Sequence, residues 1–133
     1  MNTLEQLVYC SRSTLSPGHE AAAIADIIHV AAFMNARNGI TGALTLQDGM
    51  FVQFLEGPPG ALDILMLHLH FDKRHDDIEI VARDRIERRS FPTWGMMTPD
   101  RGQSQTLGRL VAQRPADLLA WRGAMTELLA EAA

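Results

Sequence analysis

Ile40-Thr41-Gly42-Ala43-Leu44-Thr45-Leu46, then Gln47-Asp48-Gly49, then Met50-Phe51-Val52-Gln53-Phe54-Leu55 is the stretch that decides the fold. Two strand-like runs around an Asp-Gly predict a β-hairpin. In the second run Met50, Val52 and Phe54 point one way, and Phe51, Gln53 and Leu55 the other. Both sets are apolar except for Gln53. The strand is therefore expected to be central and covered on both sides. Glu56-Gly57-Pro58-Pro59-Gly60 is expected to break it.

Upstream, Leu7-Val8-Tyr9-Cys10 reads as a short buried strand. A turn-rich stretch from Ser11 to Gly18 follows. Ser16-Pro17 predicts a helix start, with serine as cap and proline in the first turn. The helix is expected to run to about Asn38-Gly39, where Gly39 suits a C-cap. Ile24, Ile27, Ile28 and Ala31 mark its apolar face, and the same spacing carries that face to Asn35. Downstream, a second helix is expected from about Ala61 to Phe71, with Leu62, Leu65, Met66 and Leu69 inward. Asp72-Lys73-Arg74-His75 ends it. Ile78, Ile80 and Ala82 then alternate with Glu79, Val81 and Arg83, a strand with one wetter face. Phe91 to Met97 contains a last strand, with Trp94 and Met96 on one face.

The order β-α-β-β-α-β-β predicts an α+β, ferredoxin-like fold. Its expected form is a five-stranded mixed sheet, with two helices on one face and C-terminal helices on the other. Residues from about Thr98 onward read as helical. Pro115 starts a helix with Leu118, Trp121, Met125 and Leu128 at apolar spacing. Covering an exposed sheet face is the leading expectation for this tail, and binding a partner the alternative.

Composition narrows the function. The chain has 133 residues, 47% hydrophobic and 21% charged, as expected of one globular domain. One cysteine, Cys10, excludes a disulfide scaffold. No apolar run approaches the ~18–20 residues that span a bilayer. The first residues lack the pattern of a secretory signal, so a cytoplasmic location is expected. Twelve Lys and Arg against sixteen Asp and Glu give a net charge of −4, which disfavours phosphate backbones and predicts no direct nucleic-acid binding. Arg83, Arg85, Arg88 and Arg89 are interrupted by Asp84 and Glu87 and read as a solvated strand edge and turn. Among the five histidines, none of His19, His29, His68, His70 and His75 forms the i, i+4 pair of a helical metal site, so no metal is expected. Cys10 on an apolar strand reads as a small hydrophobe. No phosphate loop or dinucleotide fingerprint is present.

The informative residues are polar groups in apolar places: Tyr9, Asn35 and Gln53. Each alone reads first as a satisfied core polar group. Together, from three elements converging on one layer, they point to a polar ligand between apolar walls. Amides carry both donors and acceptors, so they suit a heterocycle with C=O and N–H edges.

Leu7-Val8-Tyr9-Cys10-Ser11-Arg12, Asn35-Ala36-Arg37-Asn38-Gly39-Ile40-Thr41-Gly42, Phe51-Val52-Gln53-Phe54-Leu55-Glu56-Gly57, Asp72-Lys73-Arg74-His75 and Phe91-Pro92-Thr93-Trp94-Gly95-Met96 form a collinear series. Over about residues 4–98 it resembles the BLUF family, blue-light sensors that use flavin. The resemblance implies that Tyr9 is the light-active tyrosine and that Gln53 lies between it and the flavin. Asn35 matches the asparagine that hydrogen-bonds the pyrimidine edge of the ring. Asp72, Arg74 and His75 match the motif near that edge, and Ile27, Phe51 and Leu69 the apolar walls. Trp94 and Met96 match a last-strand pair linked to signal output. Three positions depart from the pattern: Met34, where relatives often carry a polar residue; His68, where some have arginine; and Gly95, between the output pair.

The implied cofactor is FAD, with FMN and riboflavin as alternatives. The implied mechanism is electron and proton release by Tyr9, relay through Gln53, and a rotated or tautomerised amide after return. No substrate is consumed, so the expectation is a switch and not an enzyme. Residues 1–98 would be the sensor and 99–133 a helical extension too short to act as an effector. The signal would pass to a separate protein partner or through a homo-oligomer. Two other readings stay open. One is an acylphosphatase-type hydrolase with Arg12 and Asn35 as an anion cradle. The other is a light-insensitive interaction module that uses the C-terminal helix.

Overall fold

The computed structural model describes residues 3–14, 35, 37–47, 49–73, 75–91, 94–96 and 105–132. In chain order its elements are β1 (Leu4–Ser13), β2 (Thr41–Gln47), β3 (Met50–Gly57), α1 (Pro59–His70), β4 (His75–Ile86), β5 (Trp94–Met96), α2 (Gln105–Gln113) and α3 (Leu118–Ala132). The fold is α+β. The strands lie in the order β4-β1-β3-β2-β5. The first four pair antiparallel, and β5 joins β2 in parallel over Gly42↔Trp94, Ala43↔Gly95 and Leu44↔Met96.

β3 lies between β1 and β2, and the period-two reading of its faces holds. Val52 and Phe54 join a core with Val8, Cys10, Ala43 and the tail residues Leu107, Leu110, Leu118, Trp121, Ala124 and Met125. Phe51 and Leu55 join a second core with Leu7, Tyr9, Ile40, Leu44 and the α1 residues Leu62 and Met66. The expected inward face of α1 is thus confirmed, with Leu65 and Leu69 partly buried beside it.

The C-terminal helices cover a sheet face. Trp121 is fully buried, its ring edge-on to Phe54 at 6.4 Å. Its Nε1–H donates to the Pro115 carbonyl at 2.9 Å. α3 begins at Leu118, later than Pro115, because Asp117 caps it: its Oδ1 accepts from the Leu119 N–H at 3.0 Å. Trp121→Ala is expected to cost about 3–5 kcal/mol through the cavity it leaves. Urea unfolding checks this, and a near-neutral result would mean that the tail does not share the sheet's core.

Two strands differ from expectation. β3 runs through Glu56 to Gly57, so the break falls at Pro58. In β4 the simple alternation fails. Val8 pairs with Ala82 but Tyr9 with Ile80, which leaves Val81 as an inserted residue. This bulge puts the neighbours Val81 and Ala82 into the same core and leaves Ile80 45% exposed. A second irregularity falls between Cys10 and Arg12, opposite a stretch containing Asp77 at φ 52.

Of the first predicted helix, most lies outside the described residues, with Ile24, Ile27, Ile28 and Ala31. Its end is described. Asn35 and Arg37 are helical, and Gly39 has φ 73, the left-handed C-cap expected of it. The Asn35 carbonyl accepts from the Asn38 and Ile40 N–H groups at 3.0 and 2.9 Å, which closes the last turn. Among the described residues, no helix is long and apolar enough to cross a membrane.

Candidate functional site

Tyr9 on β1 and Gln53 on β3 are register partners in the antiparallel pair. Both are buried on the face shared with Leu7, Leu55 and Phe51. Cross-strand neighbours stand close enough for side chains to meet. Here the Tyr9 Oη–H donates a hydrogen bond to Gln53 Oε1. Burial raises the phenol's pKa above its ordinary 10, and the charges of Asp72 and then Cys10 add to it. The hydroxyl therefore keeps its proton and acts as the donor.

Burial likewise pushes the Cys10 thiol up, from 9.0 to about 11, with Arg114 opposing and Glu79 adding. Cys10 is free and packed among apolar side chains, as its sequence context predicts. The two raised values set the alkaline behaviour. Both groups are neutral, folded or unfolded, at lower pH. As pH climbs past 9 and then 10, the unfolded chain ionises first, so folding stability falls with rising pH. The chain has one tyrosine, so phenolate absorbance reports Tyr9 alone. Phenolate absorbance and loss of circular dichroism are expected to rise in one alkaline transition. A phenolate that titrates near pH 10 in a still-folded protein would contradict the burial argument.

His75 opens β4 and is buried beneath these residues. Its Nε2–H donates to the Leu69 carbonyl at 2.8 Å, and its Nδ1 is hydrogen-bonded to the Ser11 hydroxyl at 2.8 Å. The ring meets Tyr9 at 6.1 Å and Phe51 at 6.2 Å between centroids, both edge-on. Both ring nitrogens are thus used inside the protein. Asp72 is half-buried just beyond α1 and is the first charged side chain acting on Tyr9. Leu69 lines the same core.

Asn35 is 3% exposed, and among the described residues its Nδ2 has no hydrogen-bond partner. A buried donor left unmet costs about 1–3 kcal/mol. Its main chain is tied through Ile40 to the core that holds Tyr9. Ile27 and Arg74 lie outside the described residues. Trp94 and Met96 are the ends of β5, in register with Gly42 and Leu44 of β2.

Other candidates change meaning. The Arg12–Asn35 anion cradle does not form. Arg12 gives a bidentate pair to Asp76 at 2.8 Å through Nε and Nη2, and it lies 3.8 Å from Asp77. The arginine cluster is only partly a solvated edge. Arg83 pairs with Glu5 at 2.6 Å and Asp63 at 2.7 Å, and Arg89 reaches Thr41 and the Gly39 carbonyl. Among the described residues, no group of three or more His, Cys, Asp or Glu is placed to hold a metal.

Glu56 is a residue that the sequence reading missed. It is fully buried on the tail-covered face, and its carboxylate accepts from Gln6 Nε2 at 2.8 Å and from the Ser90 and Phe91 N–H groups. The signal was available. Glu56 shares the parity of Val52 and Phe54, and so their face.

A family model described as "BLUF: Sensors of blue-light using FAD" matches residues 4–97. The chain belongs to the BLUF family. Among curated BLUF relatives, the photoactivated adenylate cyclase subunit beta of Euglena longa is 35% identical over 97 residues, which are 73% of this chain and 11% of the relative. A photoactivated adenylate cyclase subunit alpha-like protein FB of Euglena gracilis is 46% identical over 93 residues, 70% of this chain and 9% of the relative. The chain thus spans about a tenth of the length of these curated relatives. Among solved structures, the dark state of the BLUF protein BlrB is 34% identical at TM-score 0.67, covering 85% of this chain and 82% of that one. BlsA in its photo-activated state shares the fold, at 23% identity and TM-score 0.77, covering 95% and 94%. As a BLUF protein, the chain is a blue-light sensor that works through a flavin.

The site fits such a group. Asn35 Nδ2, without a partner among the described residues, offers a donor to a ring carbonyl, and Gln53 carries an amide beside a protonated phenol. Phe51 and Leu69 lie in the apolar core around Tyr9.

Proposed function

We propose that the chain is a photoreceptor whose switch is the Tyr9–Gln53 hydrogen bond. The observation that carries the reading is this bond between buried register partners, with Asn35 Nδ2, unmet among the described residues, in the adjoining helix end. Asn35, Asp72 and Arg74 would hold the polar edge of the ring, Ile27, Phe51 and Leu69 its faces, and Gln53 its reactive side. His75 would position Tyr9. The cofactor is taken as FAD, in keeping with the family description.

When bound, the flavin supplies blue-light absorption and a one-electron acceptor. The rest is done by the chain. Tyr9, with its pKa raised, keeps its proton aimed at Gln53 Oε1. An amide is an acceptor at one end and a donor at the other. Turning the Gln53 amide end for end puts Nε2 opposite Tyr9, whose oxygen then accepts where it had donated. The two arrangements are the two states of the switch, and light shifts their populations.

Output is assigned to β5, through Trp94 and Met96, and to the helices that pack beneath the sheet. Residues 1–98 act as the sensor and 99–133 as its helical cover. The chain acts as a switch without catalysis of its own and passes its signal to a separate protein, as a homo-oligomer in the cytoplasm. The ferredoxin-like β-α-β-β-α-β-β reading belongs to the same proposal and is supported by the strand order.

One spectrum tests this. The purified protein is expected to be yellow, to release FAD on denaturation, and to show a red-shifted flavin band under blue light that reverts in the dark. A colourless protein, or a flavin band that blue light does not move, overturns the reading.

A further inference from the structure

The geometry points to Glu56 as the positioning residue that couples the Gln53 strand to β5. This rests on the light-switch reading above and extends it to a residue on the opposite face of the sheet.

Three successive residues bond to Glu56. Arg89 Nη1 donates to its main-chain carbonyl at 3.1 Å. The Ser90 N–H donates to both carboxylate oxygens, at 2.9 and 2.8 Å, and the Phe91 N–H to Oε1 at 2.8 Å. Hydrogen bonds to a buried carboxylate are among the stronger kind, and losing one partner leaves the other exposed to a full desolvation cost. Phe91 adds a ring contact to Phe54 of the same strand, 6.1 Å between centroids. β3 therefore grips residues 89–91 at three points, immediately before the chain enters β5.

Among the described residues, β5 pairs with β2 over three positions, and the anchored residues 89–91 are its entry. Gln53 and Glu56 are three residues apart on β3, about 10 Å along the strand, and face opposite sides. A packed strand moves as a unit, so a change at Gln53 that shifts β3 is carried to the carboxylate. Arg89 brings in the second site amide, because its Nη2 holds the Gly39 carbonyl at the helix end that bears Asn35.

The test uses the full chain with its flavin and two readouts. Flavin absorbance reads the light reaction, and the backbone amide resonances of Ser90, Phe91 and Gly95 read the coupling, in the dark and under blue light. In the wild type all three amides are expected to move on illumination. In Glu56→Ala the flavin red shift is expected to persist, while the light-dependent displacement at Gly95 falls about five-fold or more. Glu56→Gln keeps one oxygen for the two N–H groups and is expected to restore most of it. A purely packing role for Glu56 would not separate the two readouts in this way.

A Gly95 response at wild-type size in Glu56→Ala overturns the coupling and leaves the light switch standing. So does a wild-type protein in which Gly95 moves while Ser90 and Phe91 stay fixed, a result that needs no variant to fold. A wild-type flavin band that blue light does not move overturns the light switch itself, and the coupling with it.

Discussion

Tyr9→Phe is expected to give a yellow, folded protein whose spectrum no longer moves under blue light. The substitution removes one oxygen from a buried ring and keeps its shape. Gln53 Oε1 loses its donor, and folding stability drops by about 1–3 kcal/mol. That is a modest part of the ~5–15 kcal/mol of a typical domain. The functional loss is far larger. Tyr9 is the one tyrosine in the chain, so no second phenol can release an electron and proton in its place. The light-induced shift is expected to fall below detection while flavin content stays near wild type. Difference spectra with a flavin-to-protein ratio measure both. A variant with an intact red shift would remove Tyr9 from the mechanism.

The second large effect is structural. A Cβ on Gly42 would lie 1.9 Å from the Phe54 carbonyl oxygen and 2.9 Å from its carbon. These are backbone atoms of β3, so no side chain can turn aside. Gly42 also has φ 155, a conformation that L side chains rarely adopt. Gly42→Ala is therefore expected to cost upward of about 3 kcal/mol. The damage falls next to the site, because β2 pairs Leu44 with Gln53 two residues further on. The denaturation midpoint should drop sharply and flavin binding should weaken with it. A variant within 1 kcal/mol of wild type, a margin ordinary for surface changes, would mean that β2 and β3 sit farther apart than this register places them.

How much could be read beforehand follows from where the rules are local. The faces of β3 obey period two, and Met50 to Leu55 fell where alternation puts them. α1 obeys helical spacing, so Leu62 and Met66 were readable as core. Asn35 and Gln53 stood out because an amide on an apolar stripe is unexpected. The rest depends on pairing between distant strands. Nothing within Ile78 to Arg83 announces that Val81 is inserted, because a bulge is defined by the partner strand. Glu56 was misread because the Gly-Pro-Pro-Gly after it outweighed its own parity. The bond between Arg12 and Asp76 joins residues far apart in the chain, and without it Arg12 looked available to an anion. The fate of His75 was hidden for a similar reason. Its nitrogens are taken by Ser11 and a main-chain carbonyl, and neither partner carries a motif.

The separation of Tyr9 from Gln53 along the chain has a kinetic consequence. The β2–β3 hairpin is local and can form early, but β1 must close a loop of 44 residues before the phenol meets the amide. The Gln6–Glu56 pair spans 50. Long-range pairings of this kind slow folding, since the entropy of closure is lost before any contact rewards it. The Tyr9–Gln53 pair is thus expected to assemble after the hairpin, and before the β1–β4 pairing, in which Tyr9 meets Ile80 across a longer loop still. During refolding, the hairpin's circular dichroism should recover before the protein can hold its flavin, and the return of yellow colour should mark the moment β1 arrives.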